Sequence, residues 1–120
     1  MVILQVNYTY TGISRAEWEK RYSDDVATKF LAVDGLCWKI WLDAPDEPRV
    51  GGIYLFETMA QAQAYLDGPI VARLKANPAI ANLETRLFNV RERMTAITRG
   101  PVPGLAAPDL AAPNLPTAAE

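Results

Sequence analysis

Histidine is absent from this chain, and cysteine occurs once, at Cys37. The first absence removes the usual general base, the usual partner of a serine or cysteine nucleophile, and the commonest metal ligand. The second excludes an internal disulfide, leaves zinc and iron–sulfur sites without donors, and fits a reducing compartment. As a nucleophile Cys37 would need Lys39 or a nearby arginine to lower its pKa; the plainer reading is a small buried hydrophobe. No apolar run of about 20 residues is present to cross a bilayer. A basic excess is missing too: 12 Lys and Arg stand against 14 Asp and Glu, a net charge of -2, which makes nucleic acid and anionic membrane surfaces poor partners. Met1 to Asn7 lacks the basic leader and cleavage pattern of a secretory signal. The expectation is a soluble cytoplasmic protein without a zinc or iron–sulfur centre.

A length of 120 residues suits one core. Residues 2–10 alternate, with Val2, Leu4, Val6, Tyr8 and Tyr10 on one face and Ile3, Gln5, Asn7 and Thr9 on the other, which predicts a strand. Ser14 with Glu17 forms a capping-box pattern, and Trp18, Tyr22, Val26 and Phe30 then make one apolar stripe, which predicts a single helix ending near Gly35. Leu36–Leu42 and Val50–Glu57 predict a hairpin across a turn-rich segment with two prolines. A second helix starts at Thr58, carries Ala62, Leu66, Ile70 and Leu74 inward, and is interrupted at Asp67-Gly68-Pro69. Residues 82–91 predict a fourth strand.

Strand, helix, strand, strand, helix, strand is the order of an α+β, ferredoxin-like fold: a four-stranded antiparallel sheet with both helices on one face. The hairpin strands are apolar on both faces, with Trp38 and Ile40 against Cys37 and Trp41, and Ile53 and Leu55 against Tyr54 and Phe56. A sheet wet on one side would be polar there, so a second copy covering the free face, a homodimer, is expected. The domain should occupy residues 1–98. Residues 99–120 read as a Pro- and Ala-rich tail in which Leu105, Leu110 and Leu115 are candidate docking residues.

Gly35-Leu36 followed by Trp38-Lys39 and Trp41, then Gly51-Gly52-Ile53-Tyr54-Leu55-Phe56, Ala64-Tyr65-Leu66 and Ala72-Arg73-Leu74, closely resemble the YdhR-like monooxygenases of the dimeric α/β-barrel superfamily. The resemblance spans roughly residues 3–92. It implies two subunits joined into a dimeric α/β barrel, one apolar cavity per subunit, and oxidation of an electron-rich aromatic by molecular oxygen without a cofactor. Asn7 matches the first-strand asparagine used by some relatives. Haem-degrading relatives also use a histidine, which this chain lacks, so haem is not expected here.

Oxygen reacts with a singlet organic molecule only if that molecule donates an electron, as a phenolate or enolate does. The protein then has to desolvate and orient a ring, remove a proton and hold an anion. Trp38, Trp41, Tyr54 and Phe56, with Tyr22 and Tyr65, are candidate walls. Asn7, Lys39, Tyr54 and Arg73 are candidates for the proton and the anion. For Lys39 two readings stand open, a buried amine of lowered pKa or a snorkelling surface charge; Arg73 is equally readable as a solvated helix charge. Trp38 and Trp41, three apart on a strand, cannot share a face. The same cavity suits a non-catalytic carrier of a small apolar molecule, or an oxygen-independent isomerase or cyclase. The carboxylates at Asp24, Asp25, Asp43, Asp46 and Glu47 read as solvated surface. Gly51-Gly52 opens a strand and lacks the lysine and hydroxyl of a phosphate loop, so it reads as a site of a bulge or close strand packing.

Overall fold

The structure is a computed structural model, and it describes residues 1–104; the leucines proposed for tail docking lie outside these. Four strands form one antiparallel sheet: β1 (Val2–Tyr10), β2 (Leu36–Asp43), β3 (Arg49–Phe56) and β4 (Ile80–Asn89), in spatial order β2-β3-β1-β4. With the helices between them this is the ferredoxin-like α+β fold. Residues Met1–Val90 make one compact unit; a second begins at Arg91 and contains a short helix, Glu92–Ile97, that the sequence reading did not anticipate.

The first helical stretch departs from expectation. In place of one helix there are α1 (Arg15–Glu19), α2 (Asp24–Lys29) and a 3-10 turn, Phe30–Ala32. The break lies at Ser23, whose hydroxyl accepts from the Val26 amide at 3.2 Å, with Asp24 and Asp25 in the turn that follows. A new N-cap with acidic residues at the positive end of the helix dipole outcompetes continuation of the apolar stripe. Ser14 caps α1 as anticipated, accepting from the Glu17 amide at 3.1 Å. The second helical stretch divides at the expected place into α3 (Met59–Leu66) and α4 (Pro69–Ala76), with Thr58 capping the first and Pro69 opening the second.

Strand register decides which side chains meet. In β1–β3, Leu4 lies opposite Tyr54 and Val6 opposite Gly52; in β2–β3, Lys39 lies opposite Tyr54 and Trp41 opposite Gly52. Directly opposed residues point to the same face. Lys39, Trp41, Tyr54 and Val6 therefore share the face that packs on the helices, where Val2, Leu4, Val6, Tyr54, Phe56, Ala62, Tyr65 and Val71 form the core. The β2–β3 register shifts between Leu36 and Trp38, a bulge around Cys37 that lets both Leu36 and Lys39 face the core side.

Gly51 is a position of close approach. It pairs with Asn7 across β1–β3 without a register shift, and a Cβ there would collide with the Val6 carbonyl oxygen and crowd Asn7 Oδ1. Since the obstacle is mainly backbone, Gly51→Ala is expected to destabilise the protein by at least about 2 kcal/mol in urea titration, while an unchanged midpoint would show that the strands separate freely.

Candidate active site

On the helix-facing side of the sheet the aromatic residues join into a continuous chain. Trp18 stacks on Tyr10 with centroids 4.8 Å apart and meets Tyr22 edge-on at 6.4 Å. Tyr22 meets Trp41 at 6.0 Å, Trp41 meets Phe30 at 5.2 Å, and Phe30 lies 6.2 Å from Tyr54 and 6.4 Å from Tyr65. Trp18 Nε1 donates to the Tyr22 hydroxyl at 3.0 Å, which fixes the segment between α1 and α2 against the sheet.

Lys39 lies within this chain. Its Nζ is 3.3 Å from the Trp41 centroid, 3.7 Å from that of Phe30 and 4.8 Å from that of Tyr54. The lysine stem has room because residue 52 is glycine: a Cβ there would stand 2.9 Å from Lys39 Cε. Burial pushes the amine down to about 7 from its ordinary 10.5. The three ring faces act in the opposite direction, since their quadrupoles attract an ammonium. Both protonation states are therefore accessible near neutral pH.

Four phenols lie on this side of the sheet, Tyr54 among them against the amine, and all four shift the same way. Burial, with Tyr22 and Tyr65 nearby, pushes Tyr8 up to about 12. Burial raises Tyr54 strongly, and raises Tyr65 and Tyr22 as well. The Tyr54 and Tyr65 hydroxyls share a hydrogen bond of 3.3 Å. One proton of that pair is engaged, which leaves the other for a ligand. At neutral pH the site thus holds protonated phenols as donors and one amine able to exchange a proton.

Of the residues expected from the sequence, Lys39, Tyr54, Tyr22, Trp41 and Tyr65 come together here. Phe56 is fully buried beneath Tyr54 and Tyr65, so it supports the site as core and does not line it. Trp38 pairs with Leu55 and Asn7 with Gly51, which puts both on the other face of the sheet. There Asn7 borders a separate hollow of about 240 Å³ with Leu42, Asp43 and Arg49. Arg73 is exposed in the last turn of α4, a placement that suits the helix dipole. Asn7, Trp38 and Arg73 are therefore not gathered with Lys39. Cys37 has its thiol pushed up by burial and by Glu57, away from a reactive thiolate. The sequence reading missed Phe30 and Tyr8 as site residues, although Phe30 belonged to the apolar stripe and Tyr8 to the core-facing set of β1.

Residues 3–101 match the profile of the family described as "Putative mono-oxygenase ydhR". The chain belongs to the ydhR family. No curated protein matches it. Solved structures similar to this ydhR-family chain include a "putative antibiotic biosynthesis monooxygenase" from Deinococcus radiodurans, 15% identical, with a TM-score of 0.60 over 77% of this chain and 94% of that one. SnoaB, a cofactor-independent oxygenase from Streptomyces nogalater, is 22% identical with a TM-score of 0.57 over 75% and 92%. The heme-degrader MhuD from Mycobacterium tuberculosis, solved with two hemes bound, is 22% identical with a TM-score of 0.58 over 76% and 96%. At these identities the likeness establishes the fold. Among the described residues, no helix of this ydhR-family chain is long and apolar enough to cross a membrane.

The lowered amine has a thermodynamic signature. Between about 7 and 10.5 the unfolded chain holds a proton that the folded chain has released, so the lysine makes stability rise with pH across that window, and its penalty is complete below about 7. Tyr8 has the opposite sign, because between 10.0 and about 12 the unfolded phenol ionises first. Lys39→Met should remove the rise: the stability gain of the variant over the wild type, from urea titrations between about pH 6 and about pH 10, is expected to shrink as pH increases. A difference independent of pH would put the amine at its ordinary value.

Proposed function

We propose that this protein is a cofactor-independent monooxygenase acting on a small electron-rich aromatic or quinol. The observation that carries the reading is the Lys39 amine, enclosed by Trp41, Phe30 and Tyr54 and lowered toward neutrality. Family membership and the SnoaB-like fold support it. The neutral amine removes the proton of an acidic hydroxyl or activated methylene, and the resulting ammonium holds the phenolate or enolate. The free proton of the Tyr54–Tyr65 pair donates to the same oxygen. Trp41 and Tyr22 hold the ring and keep water away from it. The anion gives one electron to oxygen, the two radicals combine to a peroxide, and the Lys39 ammonium returns its proton as water leaves. For an activated methylene the balance is CH2 plus O2 to C=O plus H2O.

An iron porphyrin, which MhuD binds, fits this site poorly as a ligand. Histidine is absent, and the surrounding phenols are held protonated and so are weak iron donors. The protein is further proposed to work as a homodimer closed through the outer face of the sheet. On that face Ile40 and Phe88 are half-exposed, 49% and 47%, next to Ile3 and Ile53. A solution mass at micromolar concentration should give a dimer; a monomer would leave these residues without the cover proposed for them.

The reaction is tested by oxygen uptake and product mass with metal-stripped protein and a panel of anthrones, naphthols and hydroquinones. Uptake with one oxygen atom added is expected, with a rate that climbs with pH through about 7 as Lys39 deprotonates. Lys39→Met should lower kcat by about 100-fold or more, the scale of general-base catalysis. Conversion without oxygen would make the protein an isomerase or cyclase, and binding without turnover a carrier.

A further inference from the structure

Phe30 is contributed by a segment that otherwise adds little to the core. Neither α2 nor the 3-10 turn has a buried residue, and Leu31, next to Phe30, is 85% exposed. Yet the Phe30 ring covers the Lys39 amine at 3.7 Å and touches Trp41, Tyr54 and Tyr65. Two open grooves flank the segment. One, of about 290 Å³, is lined by Tyr22, Ser23, Asp24, Val26, Ala27 and Trp41; the other, of about 300 Å³, is lined by Ala32, Val33, Asp34, Gln61, Tyr65 and Ile70 among others.

Lys39 lines neither groove. Trp41 walls the first and Tyr65 the second, and Phe30 packs against both of these rings. A molecule confined to either groove lies against Trp41 or Tyr65 and not against the amine. The place directly over Lys39 Nζ is held by the Phe30 ring.

We propose that Phe30 occupies the ring position of the ligand, and that the Asp24–Ala32 arm withdraws it so that a flat, fused aromatic bearing an acidic hydroxyl takes its place against Lys39. The replacement keeps the aromatic contacts with Trp41, Tyr54 and Tyr65 and adds what phenylalanine lacks, an oxygen able to give its proton to the amine. The hydroxyl has to lie on the edge of the ring that faces Lys39, and the remainder of a fused system extends into one of the grooves. Because the open state is only a fraction of the population, the apparent affinity is reduced by that fraction, and removing the plug removes the reduction. The inference rests on the pocket assigned above but not on its reaction, since it is read from binding under nitrogen.

Calorimetric titration of the full chain with 2-naphthol, without oxygen, is the first test. Phe30→Ala is expected to bind at least about tenfold more tightly than the wild type; equal or weaker binding by a variant with native circular dichroism, or no binding by either protein, would overturn the proposal. A second measurement needs no destabilising change. With 4-fluorophenylalanine at position 30, the 19F resonance should move toward its unfolded-chain value at saturation with 2-naphthol, and a resonance that stays in place at saturation would show that the ring does not leave. Displacement of Phe30 without oxygen uptake would retain the plug and remove the oxygenase reading; uptake with an unmoved Phe30 would do the reverse.

Discussion

The enclosure of Lys39 by aromatic rings depends on strand register, and the register depends on a bulge. Residues on a strand alternate between faces, so the extra residue around Cys37 resets the alternation of β2 and directs Leu36, Lys39 and Trp41 to the helix side. Without that shift, either Leu36 would leave the core or Lys39 and Trp41 would turn to the opposite face. The second requirement is Gly52, whose missing side chain leaves the lysine stem a path across β3. Backbone geometry thus puts a polar amine against three ring faces. Near neutral pH the proton balance of the site follows from that placement.

The phenols gain their role from the same desolvation. Burial disfavours any anion in this region, so Tyr8, Tyr54 and Tyr65 stay protonated and can donate. An incoming anion would therefore meet hydrogen-bond donors and an ammonium. On the proposed reading, such a site would disfavour cations and favour ligands that arrive neutral and become negative there.

The strands were legible in the sequence because alternation is a direct image of a half-buried sheet, and Ser14, Thr58 and Pro69 marked helix starts through chemistry that is local to a few residues. The division at Ser23 was equally local, a cap followed by Asp24 and Asp25, but the longer stripe from Trp18 to Phe30 obscured it. Lys39 could be named as a candidate but not assigned a state, because its burial depends on rings from β2, β3 and the 3-10 turn. The facing of Asn7 relative to Lys39 depends on pairing across two strands and a bulge, and no property of either residue alone encodes it. Phe30 was read as an ordinary core residue since periodicity reports that a side chain turns inward, not what it covers.

The contributions of the hairpin and of the arm are unequal. β2 and β3 supply the amine, two of its walls and the glycine that makes room for it, all within one contiguous hairpin tied to the sheet. The arm from Asp24 to Ala32 supplies one ring and no buried residue. On the proposed reading, sequence change in the arm would alter what the pocket admits at little expense to folding, while the hairpin would be held fixed by both chemistry and packing. Within such a lineage, ligand preference would diverge faster than the reacting group.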